Sequence, residues 1–348
     1  MFPGLCSVVI DPPSEHYYEN KLFDLSDPKL NRDDSLLPFH RAYSSLQEQG
    51  IPVNTVDFLL QGKLKAESNQ YFSLGMLANI SVLETRKDVE LKGFLIMEPP
   101  VVAPEIYDAL PDLTTRFEGV YIHNTIGDGY SLAGVDQSRL RKLYWPQPYL
   151  GVIDRYWSNA NRLNRVAVIN GNHKPRIRNG ELYSKRIEAM AALARLGAVD
   201  LYGTGWNKWW TRRSLWLPYW LNRSALMSIN RGACTSKYET LSRYRFCLCF
   251  ENMQMTGYVT EKIFDCLYAG TIPLYLGAPD IASLIPSEAY IDCRKFTSWD
   301  EMWHELNGMS ENQINAIREA GRTFLGSEEY LKYYNSLPEI MCQTATAT

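Results

Sequence analysis

No run in this chain approaches the roughly 18 apolar residues of a membrane-spanning helix. The opening stretch, MFPGLCSVVIDPP, has neither a charged start nor an apolar segment of signal length. The expected location is therefore cytoplasmic, with peripheral contact at the inner face of a membrane left open by a segment discussed below. Excess charge of one sign is also missing. Lys plus Arg number 36 and Asp plus Glu 39, a net charge of −3, which removes the basic face that nucleic-acid binding needs. No Asp-x-Asp motif stands at a strand exit, and no His joins the cysteines at metal-ligand spacing, so no metal site is expected. The seven cysteines are an odd count in a large chain. Cys247 and Cys249 lie two apart in an apolar run and share one strand face, which predicts buried free thiols in a reducing compartment. Internal repeats and low-complexity tracts are absent.

What is present suits two ordinary domains. The chain has 348 residues, 45% hydrophobic and 22% charged. Strands are expected at Leu5 to Ile10, Val53 to Leu60, Gly93 to Met97 and Val120 to His123, with a helix over Pro38 to Gln49 stopped by Gly50. The segment between Tyr144 and Arg165, rich in Pro, Asn and aromatics, holds the expected boundary: residues 1–155 as an N-terminal domain, 156–348 as a C-terminal domain. In the second half, strands at Val166–Ile169, Val199–Tyr202, Phe246–Phe250 and Ile272–Leu276 alternate with helices. In the helix from Glu181 to Leu196, Ile187, Met190, Ala191 and Ala194 form one stripe. Ser298 with Glu301 and Ser310 with Gln313 carry capping-box patterns that open two terminal helices. This alternation implies parallel sheets covered on both faces, and ligands in such folds bind beyond the carboxyl ends of the strands.

One such end carries the chemistry. The strand closing at Phe250 is followed by Glu251-Asn252, a loop with Gly257, and a helix opening at Thr260-Glu261-Lys262. A helix start offers amide donors and a positive dipole end, an anion site suited to pyrophosphate. Lys262 adds a full charge, Tyr258 a ring or hydroxyl, and Glu261 an acceptor for sugar or ribose hydroxyls. An ordinary solvated first turn would contain the same two charged residues.

The whole segment CFENMQMTGYVTEKIFDCLYAGTIPLYLGAPDI resembles the donor-binding signature of the α-1,3/α-1,4-fucosyltransferase family, glycosyltransferase family 10, in its bacterial-type form. The matching elements are Phe250-Glu251-Asn252, Tyr258-Val259-Thr260-Glu261-Lys262, Gly270, Pro273 and Gly277. The resemblance is close from Tyr244 to Phe296, looser back to about residue 90, and absent before that. It implies a GT-B architecture, two Rossmann-like doubly wound domains facing across a cleft, with the nucleotide sugar held by the C-terminal one. It also implies inverting, metal-independent transfer of fucose from GDP-fucose, with no cofactor beyond the donor. Lys262 and Arg231 are then the diphosphate contacts, Tyr258 and Glu261 hold the ribose and fucose side, Glu251 and Asn252 belong to the donor motif, and Arg186 supports the donor or the fold. The base that deprotonates the acceptor comes from the first domain. Glu98, delivered at a strand exit before Pro99-Pro100, is the choice, against a simple capping role; Glu105 and Asp128 stand behind it.

Three further features fall outside that signature. Lys174, Arg176, Arg178, Lys185 and Arg186 cluster after a strand, as either donor contacts or a solvated helix start. Gly203-Thr204-Gly205 is half a dinucleotide fingerprint and reads as a tight turn. Trp206, Trp209, Trp210, Trp216 and Trp220 crowd one segment with Lys208, Arg212 and Arg213, which suits a core cluster, sugar stacking or a membrane surface. A lipid-linked glycan acceptor, such as a surface-polysaccharide or lipopolysaccharide precursor, would fit the last. The alternatives to a fucosyltransferase are the same fold with another nucleotide-sugar donor, or a catalytically silent carbohydrate-binding protein.

Overall fold

The computed structural model describes residues 6–208 and 215–345. In chain order the strands are β1 (Cys6–Asp11), β2 (Val53–Thr55), β3 (Ser68–Ser73), β4 (Val89–Leu95), β5 (Gly119–Ile122), β6 (Leu140–Lys142), β7 (Leu163–Ile169), β8 (Val199–Tyr202), β9 (Tyr244–Phe250), β10 (Ile272–Leu276) and β11 (Ile291–Asp292). The helices are α1 (Leu37–Glu48), α2 (Val56–Leu60), α3 (Ile80–Leu83), α4 (Pro104–Asp108), α5 (Leu110–Arg116), α6 (Asp154–Trp157), α7 (Tyr183–Arg195), α8 (Leu217–Ile229), α9 (Lys237–Leu241), α10 (Glu261–Ala269), α11 (Trp299–Asn307), α12 (Glu311–Leu325), α13 (Glu328–Tyr334) and α14 (Ser336–Ala345). They form two compact units: residues 1–148 with 331–348, and residues 149–330. The sequence division at 155 put the whole C-terminal end with the second half. In the structure the chain returns to the first unit, because α14 supplies Leu337, Ile340 and Met341 to a core built by β1, β3 and α1.

The first unit holds a six-stranded parallel sheet in the order β2-β1-β3-β4-β5-β6. Val8, Val9 and Ile10 of β1 are all fully buried, as expected of a strand covered on both faces. Arg41 of α1 ties the returning segment down. Its guanidinium donates to the carbonyls of Gln147 (2.8 Å) and Tyr334 (2.6 Å) and lies 3.6 Å from the centre of the Tyr334 ring. The expected strand from Val53 to Leu60 is in fact β2 followed at once by α2. Asp57 breaks the strand: its carboxylate accepts from Thr55 Oγ1 at 2.6 Å and from the Glu19 amide at 3.2 Å. β3 was invisible to hydropathy, since Ser68-Asn69-Gln70 is polar. Its Asn69 is buried and satisfied, accepting from Ser7 Oγ at 2.7 Å and donating to the Asp88 carbonyl at 3.0 Å.

The second unit holds a five-stranded parallel sheet in the order β11-β10-β9-β7-β8. The chain leaves β7 toward β8 and leaves β9 toward β10, in opposite directions from neighbouring strands. The gap between the carboxyl ends of β7 and β9 is therefore the topological switch point, where open α/β sheets bind ligands. Cys247, Cys249, Cys266 and Cys293 are buried thiols here, and Cys234 is half-buried; like Cys6 and Cys342 of the first unit, none of them is in a disulfide. Both expected terminal helices form, as α11 and α12, and a full capping box at Ser310 and Gln313 opens the second.

Candidate functional site

At the switch point of the second unit, two loops are stitched together. The Leu182 amide donates to the Asn252 carbonyl at 3.0 Å and the Gln254 amide to the Gly180 carbonyl at 2.8 Å. Arg186, at the start of α7, is buried and donates through Nη2 to the carbonyls of Phe250 (2.6 Å) and Glu251 (3.0 Å). Its Nε is buried with no hydrogen-bond partner, and burial lowers the guanidinium pKa against the pull of Tyr183 and Glu251. Arg186 thus clamps the end of β9; the structure gives it the supporting role of the two that the sequence left open.

Glu251 is fully buried. Its carboxylate accepts from the Thr260 amide (2.8 Å), the Thr260 hydroxyl (2.8 Å) and Lys262 Nζ (3.2 Å). Sequence reasoning treated the first amides of α10 as open donors. One of the donors at that tip, the amide of the N-cap residue Thr260, is taken by the protein's own Glu251 carboxylate. Glu251 is thus a support for the donor motif and presents no surface to a ligand. Room for it comes from Gly277, where a Cβ would stand 2.6 Å from Glu251 Cγ and 2.5 Å from the Tyr275 hydroxyl.

Lys262 is the charged centre of the site. Nζ also donates to Thr260 Oγ1 at 2.8 Å and lies 3.5 Å from Glu261 Oε1. Burial alone would lower its pKa; the Glu251 and Glu261 carboxylates outweigh burial and the neighbouring Arg186, and hold it well above the usual lysine value. Glu261, with its side chain 36% exposed, is pushed up by burial and pulled further down by Lys262 and Lys237, so it is ionised. Tyr258 is fully buried, so it offers no ring surface to a ligand as the structure stands. Lys262, Glu261 and half-buried Asn252 are the members of the motif that reach the surface.

The opposite end of α10 is held as firmly. Gly270 caps it in the left-handed conformation, φ 69°. Arg162 donates to the Ala269 carbonyl at 2.7 Å and Arg318 to the Gly270 carbonyl at 2.9 Å. Two cations at the negative end of the dipole fix the helix whose other end carries Lys262.

Arg231 is not brought to Lys262. Its guanidinium holds Asp200 Oδ1 at 2.7 Å and 2.8 Å, and β7 and β8 separate it from β9. Burial raises the Asp200 pKa, and Arg165 and Arg231 together lower it further than that. Next to it, Asn230 pairs with Leu201 by an isolated parallel bridge at the sheet edge.

In the first unit, Glu98 follows β4 on a fixed backbone. The Met97 carbonyl accepts from His123 Nε2 at 2.8 Å and the Glu98 carbonyl from the Tyr107 hydroxyl at 3.0 Å. Burial, with help from Lys142, lowers the His123 pKa to about 3 despite that carbonyl contact, so the ring is neutral. Glu105 is exposed in the first turn of α4, and the Asp128 backbone is held by Asn124. Sequence reasoning stopped its first strand at Asp11 without weighing that residue. Asp11 is fully buried at the exit of β1, beside β3. Tyr71 Oη (2.6 Å) and Asn79 Nδ2 (2.9 Å) donate to its Oδ2, while Oδ1 has no partner. Burial raises its pKa beyond what those two bonds recover.

Residues 174–318 match the family described as glycosyltransferase family 10 (fucosyltransferase), C-terminal part. This segment is a family 10 fucosyltransferase-type domain. It contains Arg186 and the entire Glu251–Lys262 constellation. Among curated relatives, the Helicobacter pylori alpha-(1,3)-fucosyltransferase FucT is 46% identical over 66 residues, covering 19% of this chain and 14% of that protein. Alpha-(1,3)-fucosyltransferase C of Drosophila melanogaster is 42% identical over 120 residues, covering 34% and 23%. The matches span less than a quarter of the length of these curated relatives. Among solved structures, an alpha1,3-fucosyltransferase superposes with a TM-score of 0.55 at 14% identity, over 97% of this chain and 91% of that one. Anabaena HepE in complex with UDP-glucose gives 0.55 at 12% identity, over 98% of each. The fucosyltransferase-type domain is thus one of two parallel-sheet α/β units of the GT-B class. Among the described residues, no helix is long and apolar enough to cross a membrane.

Proposed function

We propose that this chain is a glycosyltransferase that moves fucose from GDP-fucose to a hydroxyl group of a glycan acceptor, with inversion at the anomeric carbon. One observation carries the reading: the fucosyltransferase signature converges on the switch point of the second sheet, where a buried carboxylate fixes the Lys262 ammonium. A preorganised cation stabilises charge as it develops on a leaving group. Here the leaving group is GDP, so Lys262 faces the diphosphate and partly exposed Glu261 and Asn252 take hydroxyls of ribose or sugar. The acceptor oxygen bonds to the anomeric carbon as the bond from that carbon to the diphosphate oxygen breaks, and the acceptor proton passes to a carboxylate. Glu98 is assigned that role from its place at a strand exit and from the family resemblance. Lys262 serves the diphosphate, so transfer proceeds without a metal ion and continues in EDTA. Surface-polysaccharide and lipopolysaccharide precursors are the acceptors to try first.

Calorimetry with GDP, GDP-fucose, GDP-mannose and UDP-glucose tests the donor: GDP and GDP-fucose bind, and tighter binding of UDP-glucose overturns the assignment. Glu98→Gln should remove turnover and leave GDP binding intact. Unchanged turnover would take the base role away from Glu98. The anomeric configuration of the product, read by NMR, checks inversion.

A further inference from the structure

Of the tryptophan cluster that the sequence offers to sugars or a membrane, Trp206 and Trp216 are buried. Trp206 Nε1 donates to the Asn170 carbonyl at 2.8 Å, and the fully buried Tyr219 donates its hydroxyl to the Trp206 carbonyl at 2.6 Å. Trp220 is half-buried, Leu217 and Leu221 face outward, and Trp209 and Trp210, with Arg212 and Arg213, lie outside the described residues. The tryptophan that lines a cavity lies elsewhere in the second unit. It is Trp299, in the first turn of α11.

That cavity has a volume of about 440 Å³ and is bounded by α7, α8 and the start of α11. Its size falls within the range of small-molecule sites. Ala191 and Ala192 of α7 form its floor, and their small side chains leave the space above them open. Around the floor, Lys185 and Arg195 bring two positive charges and Glu188 and Asp300 two negative ones, so the lining carries no net charge. Glu188 is partly engaged: Trp299 Nε1 donates to its Oε1 at 3.2 Å, and Lys185 Nζ lies 2.9 Å from its Oε2. These contacts fix the polar edge of the indole, and Phe250 packs against the ring at 5.7 Å between centroids. Trp299 is only half-buried, so it keeps ring surface for a ligand. Arg195 and Asp300 are exposed, and their side chains make no ion pair or hydrogen bond among the described residues. Asn222 of α8 donates to the Pro218 carbonyl at 2.9 Å and keeps its own oxygen for a further donor.

A pyranose ring presents a face of C–H groups and a rim of hydroxyls, each both donor and acceptor. Its site needs aromatic surface with donors and acceptors side by side. A phosphate or sulfate ligand would meet Glu188 and Asp300, and a cationic one Lys185 and Arg195. We propose that this cavity binds a neutral saccharide, with its C–H face on Trp299 and its hydroxyls on Arg195, Asp300 and Asn222. The cavity reaches the same sheet edge as the donor motif. Leu276, which closes β10, lines it, and Phe250, which packs on Trp299, immediately precedes Glu251. The bound saccharide is then a non-reacting part of the acceptor glycan. That last assignment rests on the fucosyl-transfer reading, whereas the binding of a saccharide does not.

The full chain is titrated without GDP against glucose, galactose and N-acetylglucosamine, each as the single sugar and as short oligomers, by calorimetry and saturation-transfer NMR. At least one neutral oligomer should bind, and saturating GDP should change its affinity less than about twofold. Arg195→Ala with Asp300→Ala should weaken that binding at least about tenfold. Both positions are exposed, so the double variant's melting temperature and GDP affinity should match the parent's. Trp299→Ala should also abolish saccharide binding, but it removes a packing partner of Phe250, so the double variant decides the matter if Trp299→Ala does not fold. The proposal is overturned if no oligomer binds, if the double variant binds like the parent, or if GDP displaces the sugar. Tighter binding of a sulfated oligomer than of its neutral counterpart overturns it as well. Saccharide binding without GDP binding would leave this cavity's assignment standing and remove the donor reading instead.

Discussion

Removing the charge of Glu251 probes the centre of the site. The ammonium of Lys262 and the Glu251 carboxylate are 3.2 Å apart, the carboxylate fully buried and the lysine side chain 19% exposed. At an effective dielectric constant of 20, two unit charges at that separation attract by about 5 kcal/mol, and the cost of desolvating both offsets much of this. Breaking such a pair from one side leaves an uncompensated charge, at roughly 3–5 kcal/mol. Glu261, 3.5 Å from the same ammonium, remains as a second partner and holds the loss for Glu251→Gln near the lower end. For a domain of this size that is a fall of about 6–12 °C in melting temperature. Lys262→Met leaves Glu251 with the Thr260 amide and hydroxyl alone and should cost a similar amount. The double variant removes both charges and should lose little more than either single one, a coupling of about 2 kcal/mol. Thermal unfolding followed by calorimetry reads all three. If the two single losses add, the carboxylate and the ammonium are not a functional pair, and the account of how Lys262 is positioned fails.

Three other perturbations test separate parts of the structure. Gly277→Ala places a Cβ 2.6 Å from Glu251 Cγ, so it should destabilise by about 1–3 kcal/mol through overpacking, seen as a melting temperature several degrees lower; an unchanged value would mean that the Glu251 pocket is loose. His123 titrates near 3 in the folded chain and near 6.5 when free of it. Its stabilising neutral form is fully available above pH 6.5, and stability is lost as pH falls from 6.5 toward 3, by about 2 kcal/mol at pH 5. His123→Gln should flatten that part of a denaturant-midpoint profile, and an unaltered slope would refute the assignment. Arg231→Ala should change GDP affinity less than about threefold, since the guanidinium is engaged with Asp200, whereas Lys262→Ala should weaken it more than about tenfold. A tenfold loss for Arg231→Ala in calorimetry would show that this side chain leaves Asp200 for the phosphates.

Much of this protein is local and therefore legible in the chain. The alternation of apolar runs with striped helices, the stop at Gly270, the cap at Ser310 and the spacing from Phe250 to Lys262 are set by backbone preferences acting within a few residues. They identified the strand-loop-helix unit and the family of the second half. Where chemistry rather than hydropathy sets an element, local pattern misled: polar Ser68-Asn69-Gln70 forms a central strand because Asn69 finds partners on neighbouring segments, and Asp57 turns an expected strand into a helix. Strand order decided the rest. Only the fold places Glu251 inside the tip of α10 as a support, sends Arg231 to Asp200, buries Trp206 and Trp216 while leaving Leu217 and Leu221 outside, and brings α14 back to the first unit. Each of these depends on contacts between residues far apart along the chain, whose energies no local pattern encodes. Residue types and spacing fixed what chemistry was present; packing fixed which of those groups face a ligand and which are consumed in holding the others still.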